Sequence, residues 1–265
     1  MSLNLDPRQH AMLAAMGVTL WWPEASRAPV AAAEPPLASA PSAARAARIE
    51  AAPPRAAPLH TAEIATLDWS ALRDSVAACQ ACGLCQQRKN TVFGVGQASP
   101  VPGSAPQVDW LIVGEAPGEN EDLQGEPFVG QAGKLLDNML KAIGLSRHQQ
   151  VYIANVLKCR PPGNRNPLPE ELRQCAPYLH RQIELLQPKI VLALGRFAIN
   201  TLLAETVPGV EALPVGKLRG QVHSYRGLPV VVSYHPAYLL RNLPDKAKAW
   251  ADLCLAQQAL RAARP

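Results

Sequence analysis

The stretch that decides the fold is Trp110-Leu-Ile-Val-Gly-Glu-Ala-Pro-Gly-Glu-Asn-Glu-Asp122. Its first four residues are apolar and predict a short buried strand that ends at Gly114. A turn rich in glycine, proline and carboxylates follows, and apolar residues then recur at helical spacing within 130–144. Because open α/β sheets place their chemistry at the carboxyl ends of strands, the turn after Gly114 is the first candidate for a functional site.

Three further apolar runs predict buried strands of the same kind, at 151–157, 190–194 and 230–234. Helical patterns at 169–186, 196–204 and 245–262 lie between or after these runs. Strands that alternate with helices are typical of a parallel sheet covered by helices on both faces. The sequence therefore predicts an α/β fold, a three-layer α/β/α sandwich around a central, mostly parallel sheet of about four strands.

The composition divides the 265-residue chain into three parts. Residues 1–24 form a short N-terminal segment whose apolar tail, 18–22, is a candidate peptide for binding a protein partner. Residues 25–60 are rich in alanine and proline and contain few large apolar residues, which predicts a flexible linker. Residues 61–265 carry the apolar patterns, so we expect the globular domain there.

Charge and hydropathy limit the classes of function. The net charge of +5 favours an acidic partner such as nucleic acid. The first residues lack the pattern of a signal peptide, and no apolar run reaches the length of about 18 residues that a membrane span needs. We therefore expect a cytoplasmic protein, whose six cysteines act as metal ligands or free thiols rather than in disulfides.

Polar groups stand at the carboxyl ends of the four predicted strands, namely Glu115, Asn155, Gly195 and His235. An asparagine inside an apolar strand needs a hydrogen-bond partner, which is either a structural group or the edge of a ligand. A histidine between a strand and a proline is either a helix cap or a donor in a site. Their presence at one edge of the sheet favours a binding site.

The cysteines form a second group. Cys79-x-x-Cys82 combines with Cys159 and Cys175 downstream, and four thiolates suit either a [4Fe–4S] cluster or a tetrahedral zinc ion. Spacing alone leaves both metals open. Cys85 extends the first motif and is a fifth candidate.

In combination, these motifs resemble those of the family 4 uracil-DNA glycosylases, the iron–sulfur members of the uracil-DNA glycosylase superfamily. The resemblance covers roughly 79–265. The motifs are, in order, Gly114-Glu-Ala-Pro-Gly118 with Glu121-Asp122, Gly125-Glu-Pro-Phe-Val-Gly-Gln-Ala-Gly133, Asn155-Val-Leu-Lys-Cys-Arg-Pro-Pro162 and His235-Pro-Ala-Tyr-Leu-Leu-Arg241. The resemblance implies a monofunctional DNA repair glycosylase that hydrolyses the N-glycosidic bond of uracil in DNA and leaves an abasic site.

The resemblance also implies roles in reading the base. A side-chain amide at Asn155 can donate to uracil O4 and accept from N3–H, whereas cytosine presents the opposite pattern. Phe128 matches the aromatic residue that stacks on the everted base. His235 would donate to uracil O2 as negative charge builds on the leaving base.

The acidic turn carries the groups expected to act on water and the sugar. In the best-known branch of the superfamily, the position of Ala116 holds a carboxylate that activates water. The family 4 pattern has a small residue there, so Ala116 is expected only to border the substrate. The carboxylate that assists water is then Glu115, which we favour, or Glu121.

The remaining implied roles concern DNA and the metal. Leu239, Leu240 and Arg241 match the segment that enters the duplex when the base leaves. For the metal, the resemblance chooses an iron–sulfur cluster over zinc, with Cys79, Cys82, Cys159 and Cys175 as ligands. Cys85 and Cys254 are then the free thiols.

Two other hypotheses compete with the glycosylase. One is a superfamily member that only binds or covalently traps uracil-containing DNA. It is disfavoured because the loop 159–167 lacks the Arg-His insert of the trapping relatives. The other is a metal-stabilised adaptor that recruits a replication partner through the N-terminal segment. We take the chain to be a monomer.

Overall fold

The computed structural model describes residues 61–97 and 108–262. The predictions for 1–24 and for 25–60 therefore lie outside the described residues. Within the described ranges a single sheet contains six strands in the order β1-β3-β2-β4-β6-β5. They are β1 (Val95–Gly96), β2 (Trp110–Gly114), β3 (Val151–Asn155), β4 (Ile190–Leu194), β5 (Val222–Tyr225) and β6 (Leu228–Ser233).

The predicted α/β class is confirmed, but the predicted strand number of about four is wrong. The four predicted strands are the parallel centre of the sheet, β3-β2-β4-β6. The two additional strands pair antiparallel at its edges, β1 with β3 and β5 with β6. β1 has only two residues and β5 is largely exposed, so neither carries the continuous apolar run that marks a buried strand.

Nine α-helices surround this sheet in the described part of the chain. They are α1 (Thr61–Ile64), α2 (Trp69–Ala78), α3 (Glu119–Gln124), α4 (Gln131–Ala142), α5 (Pro169–Leu186), α6 (Arg196–Leu203), α7 (Val215–Leu218), α8 (Pro236–Arg241) and α9 (Lys246–Ala262). No helix in these ranges is long and apolar enough to cross a membrane.

Local signals set the ends of these helices. The Asp68 side chain accepts a hydrogen bond from the backbone N–H of Ala71 at 2.8 Å and so caps α2. Pro169 occupies the first turn of α5, where no backbone N–H is needed. Glu171 then accepts from the Leu168 N–H at 2.8 Å, which completes the start of the helix.

The two faces of the sheet carry separate cores, which makes the fold three-layered. On one face Leu111, Val113, Val191 and Val232 belong to a cluster that includes residues of α2, α5 and α6. On the other face residues including Ile112, Ile153, Leu192 and Val231 cluster with α4 and α9. Successive strand residues point to opposite faces, so helices on both sides bury every residue of the central strands β2, β3 and β4.

The register of the parallel strands brings their carboxyl ends to one edge of the sheet. Gly114 at the end of β2 pairs with Asn155 at the end of β3. Leu194 at the end of β4 pairs with Ser233 at the end of β6. Glu115 and His235 follow directly beyond this line, so the predicted polar groups share one edge.

Candidate active site and cysteine cluster

A cavity opens at the carboxyl edge of the sheet. All six residues predicted to contact the base or act at the sugar line it: Glu115, Ala116, Glu121, Phe128, Asn155 and His235. The loop after β3 adds Pro161, Asn164 and Arg165, which sequence reasoning had not placed at the base site. The guanidinium of Arg165 pairs with both carboxylate oxygens of Glu171, at 2.8 Å and 2.5 Å, so this wall of the cavity is tied to the start of α5.

Asn155 presents an unpaired amide oxygen beside this cavity. Its side chain is only 2% exposed, and its Oδ1 atom is buried without a hydrogen-bond partner. A Cβ atom at Gly114 would lie 2.4 Å from this oxygen and 2.5 Å from Cζ of Phe128. Only glycine at 114 therefore leaves room for both side chains, and a buried acceptor without a protein partner beside a cavity is available to a ligand.

Phe128 and His235 face each other across the cavity lining. Their ring centroids are 5.4 Å apart and their planes are inclined by 30°. Phe128 has a left-handed backbone, with φ of 56°, which is uncommon for an aromatic residue. Two rings and an amide therefore border one space.

The environment of His235 keeps its imidazole neutral. Its Nδ1 atom accepts a hydrogen bond from the Ala237 N–H at 3.2 Å, as the N-cap of α8. Because Nδ1 accepts, the proton of the neutral ring must lie on Nε2, which becomes a donor. Burial, aided by the positive charge of Arg241 and opposed by Glu121, lowers the pKa of His235 to about 4.

The two predicted carboxylates differ in how they are held. Glu121 is fully engaged, since Oε2 accepts from the Gly118 N–H at 3.0 Å and Oε1 accepts from the N–H groups of Val129 and Gly130 at 2.9 and 3.0 Å. Glu115 lines the cavity, and burial raises the pKa of its carboxyl, although the charge of Arg196 opposes this. Of the two, Glu115 is the better placed to exchange a proton.

The predicted DNA-entering segment divides into buried and exposed residues. Leu239 is 1% exposed and faces residues of α4 and α9, so it cannot reach a duplex in this arrangement. Leu240 is 41% exposed, and Arg241 is also exposed. Leu243, which sequence reasoning missed, is 60% exposed in the turn that follows. Adjacent leucines carry no sequence signal that separates them, and only packing does so.

Three cations in loops face inward rather than toward solvent. Lys158 is 1% exposed, and its ammonium donates to the Asn155 carbonyl at 2.7 Å and to Oε1 of Gln182 at 2.6 Å. Arg88 donates to backbone carbonyls and to the Cys159 sulfur, and Arg219 pairs with buried Asp252. Lys158 therefore connects the backbone at Asn155 to Gln182 of α5.

The predicted cysteine ligands also come together, at a second, smaller cavity. Its lining includes all four, Cys79, Cys82, Cys159 and Cys175, and also Cys85. Cys254 lies in α9, away from this cavity. The structure thus does not separate Cys85 from the predicted set, because the 3₁₀ turn Gly83–Gln86 carries it to the same wall.

Two of the cysteine sulfurs at this cavity accept hydrogen bonds from nearby donors. Cys159 accepts from Arg88 and Cys175 accepts from the Lys158 N–H, each at 3.2 Å, as thiolate ligands commonly do. Burial raises the pKa of Cys159 to about 11 and that of Cys175 to about 12. In the described residues, no three histidine, cysteine or acidic side chains are arranged to hold one metal ion.

Comparison with known proteins gives this arrangement a family. The sequence profile of the Uracil DNA glycosylase superfamily matches residues 101–254, which include the residues that line the cavity at the carboxyl edge and two of the four predicted cysteine ligands. The chain therefore belongs to the uracil-DNA glycosylase superfamily, and its relatives place it in the type-4 family.

Two relatives illustrate the similarity. The chain is 41% identical to the type-4 uracil-DNA glycosylase of Saccharolobus solfataricus over 194 residues, which is 71% of this chain and 85% of the relative. It is 43% identical to the type-4 enzyme of Archaeoglobus fulgidus over 169 residues, or 62% and 79% of the two chains. A type-5 uracil-DNA glycosylase from Thermus thermophilus is more distant, at 33% identity over 161 residues.

Proposed function

We propose that this protein removes uracil from DNA by hydrolysing its N-glycosidic bond, leaving an abasic site for repair. One observation carries the proposal: the unpaired amide oxygen of Asn155 lies beside the rings of Phe128 and His235 in one cavity. The type-4 relatives give the reaction its name. A base must leave the duplex to reach such a cavity.

Asn155 would select uracil through complementary hydrogen bonds. Its amide can accept from N3–H and donate to O4, and cytosine offers neither group in that arrangement. Lys158 holds the Asn155 carbonyl and so fixes the strand end from which the amide projects. Phe128 would stack on the base and make up for part of the stacking lost in the duplex.

His235 would stabilise the departing base as a neutral donor. Negative charge develops on uracil O2 as the glycosidic bond breaks, and Nε2–H can donate to it. A neutral imidazole suits this role at physiological pH because it needs no prior proton uptake. The backbone bond from Ala237 fixes the tautomer and the direction of the donor.

The carboxylates would divide the remaining work. We assign water positioning and stabilisation of the cationic sugar to Glu115, since its cavity position leaves it accessible. Glu121 would act through the backbone, because its oxygens already accept three N–H bonds. We include no lyase step, since none of the described residues that line the cavity is a lysine.

We propose that Cys79, Cys82, Cys159 and Cys175 hold a [4Fe–4S] cluster that clamps the surrounding loops, with no part in bond cleavage. The location of five cysteines around one cavity supports a shared metal site there. The family resemblance favours the cluster over zinc for that site. Cys85 remains a candidate to replace one of the four.

The proposal extends to the setting of the enzyme. A reducing, cytoplasmic location is consistent with six cysteines that form no disulfide. We further propose that 61–265 form the catalytic domain of a monomer, that 25–60 tether it, and that 1–24 bind a protein partner. Deleting the residues before Thr61 should then leave uracil excision intact.

The test is incubation of the purified full chain with a labelled duplex that contains one uracil, followed by alkaline cleavage at abasic sites. We expect a single cut at the uracil and none in a duplex with thymine at that position. Absence of cleavage, or a stable covalent protein–DNA adduct instead of an abasic product, would overturn the proposal.

A further inference from the structure

We infer that Arg147 is a positioning residue for this reaction, which with Glu121 holds Phe128 in the conformation that directs its ring to the cavity. The stacking role of the Phe128 ring rests on the proposed function, whereas the hold of Arg147 on its backbone does not. Arg147 is absent from the cavity lining and from the motifs that the sequence singled out.

Phe128 needs such a support because its backbone is unfavourable by itself. Its φ of 56° lies in the left-handed region, where a Cβ atom crowds the backbone. A non-glycine residue keeps this conformation only when neighbouring groups over-determine it. The residue is nevertheless only 5% exposed and borders the cavity, so this backbone conformation places Phe128 at the site.

Arg147 binds the carbonyl groups on both sides of the Phe128 Cα atom. Its Nη1 atom donates to the Pro127 carbonyl at 3.2 Å and its Nη2 atom to the Phe128 carbonyl at 2.8 Å. Asp137 of α4 accepts from Nε at 2.9 Å and from Nη2 at 2.7 Å. The side chain is only 13% exposed, so these protein contacts rather than water orient the guanidinium.

Glu121 binds the N–H groups of the same turn. The peptide that joins Phe128 to Val129 is therefore held at both ends, its carbonyl by Arg147 and its N–H by Glu121. Glu121 also accepts from the Gly130 N–H. Return of Phe128 to a negative φ would require these peptides to rotate, which both ion-assisted contacts oppose.

Helix α4 restricts the turn from a third side. A Cβ atom at Gly133 would lie 1.8 Å from the Phe128 carbonyl oxygen. Glycine at 133 thus lets the carbonyl approach α4, where Asp137 positions the guanidinium. Loss of Arg147 leaves the Phe128 carbonyl without its charged donor and frees the peptide to turn.

The first measurement is hydrogen exchange of the peptide 127–133 in the full chain, which does not depend on activity. Arg147→Met should exchange its Val129 and Gly130 amides faster than the parent chain. Arg181→Met is the matched control, because Arg181 also donates to a backbone carbonyl, that of Leu67, and to a nearby carboxylate, that of Glu184. It should leave exchange at 127–133 unchanged.

The second measurement is a double-mutant cycle on uracil excision. Phe128→Ala should lower kcat/KM by about 10- to 100-fold, the range of base–aromatic stacking. Arg147→Met should approach the same loss, and the double variant should be no worse than Phe128→Ala alone. Arg147→Lys should recover only part of the activity, because one ammonium cannot make the planar contacts of a guanidinium.

The two measurements separate the possible failures. Unchanged exchange in Arg147→Met, or a double variant whose losses multiply, overturns the role of Arg147. If the parent chain excises no uracil, the proposed function fails. The exchange experiment still decides whether Arg147 holds the backbone of Phe128. If Arg147→Met does not fold, Arg147→Lys replaces it in both experiments, with the same two results against the inference.

Discussion

Lowering the pH to about 5.5 should leave the His235 imidazole neutral, so that this residue contributes no acid limb to uracil excision. At pH 6 a histidine with the ordinary pKa of 6.5 would be about three-quarters protonated, whereas a pKa of about 4 leaves about 1% protonated. The difference corresponds to about 3 kcal/mol between the two protonation states. Burial is its main cause.

Glu115 would complicate this result in the parent enzyme, because burial raises the pKa of its carboxyl and so shifts its titration toward the acid side of the assay range. Single-turnover excision is therefore compared in the parent chain and in Glu115→Gln, across about pH 5 to 8. The residual rate of Glu115→Gln should be flat over this range. A decline centred near pH 6.5 in that variant would refute the neutral-imidazole argument.

The same shift has a consequence for stability with a defined sign. The pKa of His235 in the folded chain lies below its unfolded value, so unfolding takes up a proton between about pH 4 and pH 6.5. The stability that comes from burying His235 in its neutral form is therefore fully present above pH 6.5. It is lost as the pH falls toward 4. Denaturant unfolding at several pH values, with and without His235→Gln, measures this loss, and equal pH dependence in both chains would contradict it.

Three other changes have definite expected outcomes. Asn155→Ala should slow single-turnover uracil excision by about 10²- to 10³-fold, the usual effect of removing one oriented hydrogen-bonding group, while affinity for duplex DNA changes little; an unchanged rate would exclude a role in base reading. Cys159→Ser should lower the iron content and soluble yield of the purified chain, whereas Cys254→Ser, remote from the cavity, should change neither; zinc in place of iron in the parent would contradict the cluster. Leu243→Ser should weaken binding to an abasic duplex, measured by fluorescence anisotropy, because this exposed leucine beyond α8 is available to contact DNA. Equal affinity in the variant would show that Leu243 does not contact the duplex.

The centre of the fold could be predicted because its signals are local. Four apolar runs marked β2, β3, β4 and β6, and Pro169 marked the first turn of α5. The edge strands β1 and β5 were not predicted, because pairing with a neighbouring strand, rather than their own composition, makes them strands. Polar residues at strand ends could be placed at one edge as soon as the sheet was taken to be parallel.

Side-chain direction could not be predicted in the same way. Lys158 reads as a surface charge in a proline-rich loop, but Gln182, which is 24 positions further along the chain, binds its ammonium. Arg147 likewise contacts carbonyls 19 and 20 residues earlier. Such contacts depend on how loops return to the sheet, for which periodicity carries no information.

The most direct test of the central claim is a crystal structure of the chain with uracil bound. We predict uracil in the base-site cavity, stacked on Phe128, with N3–H and O4 facing the Asn155 amide and O2 within hydrogen-bond distance of His235 Nε2. Uracil bound elsewhere, or bound there with the Asn155 amide turned away from its edge, would contradict the account.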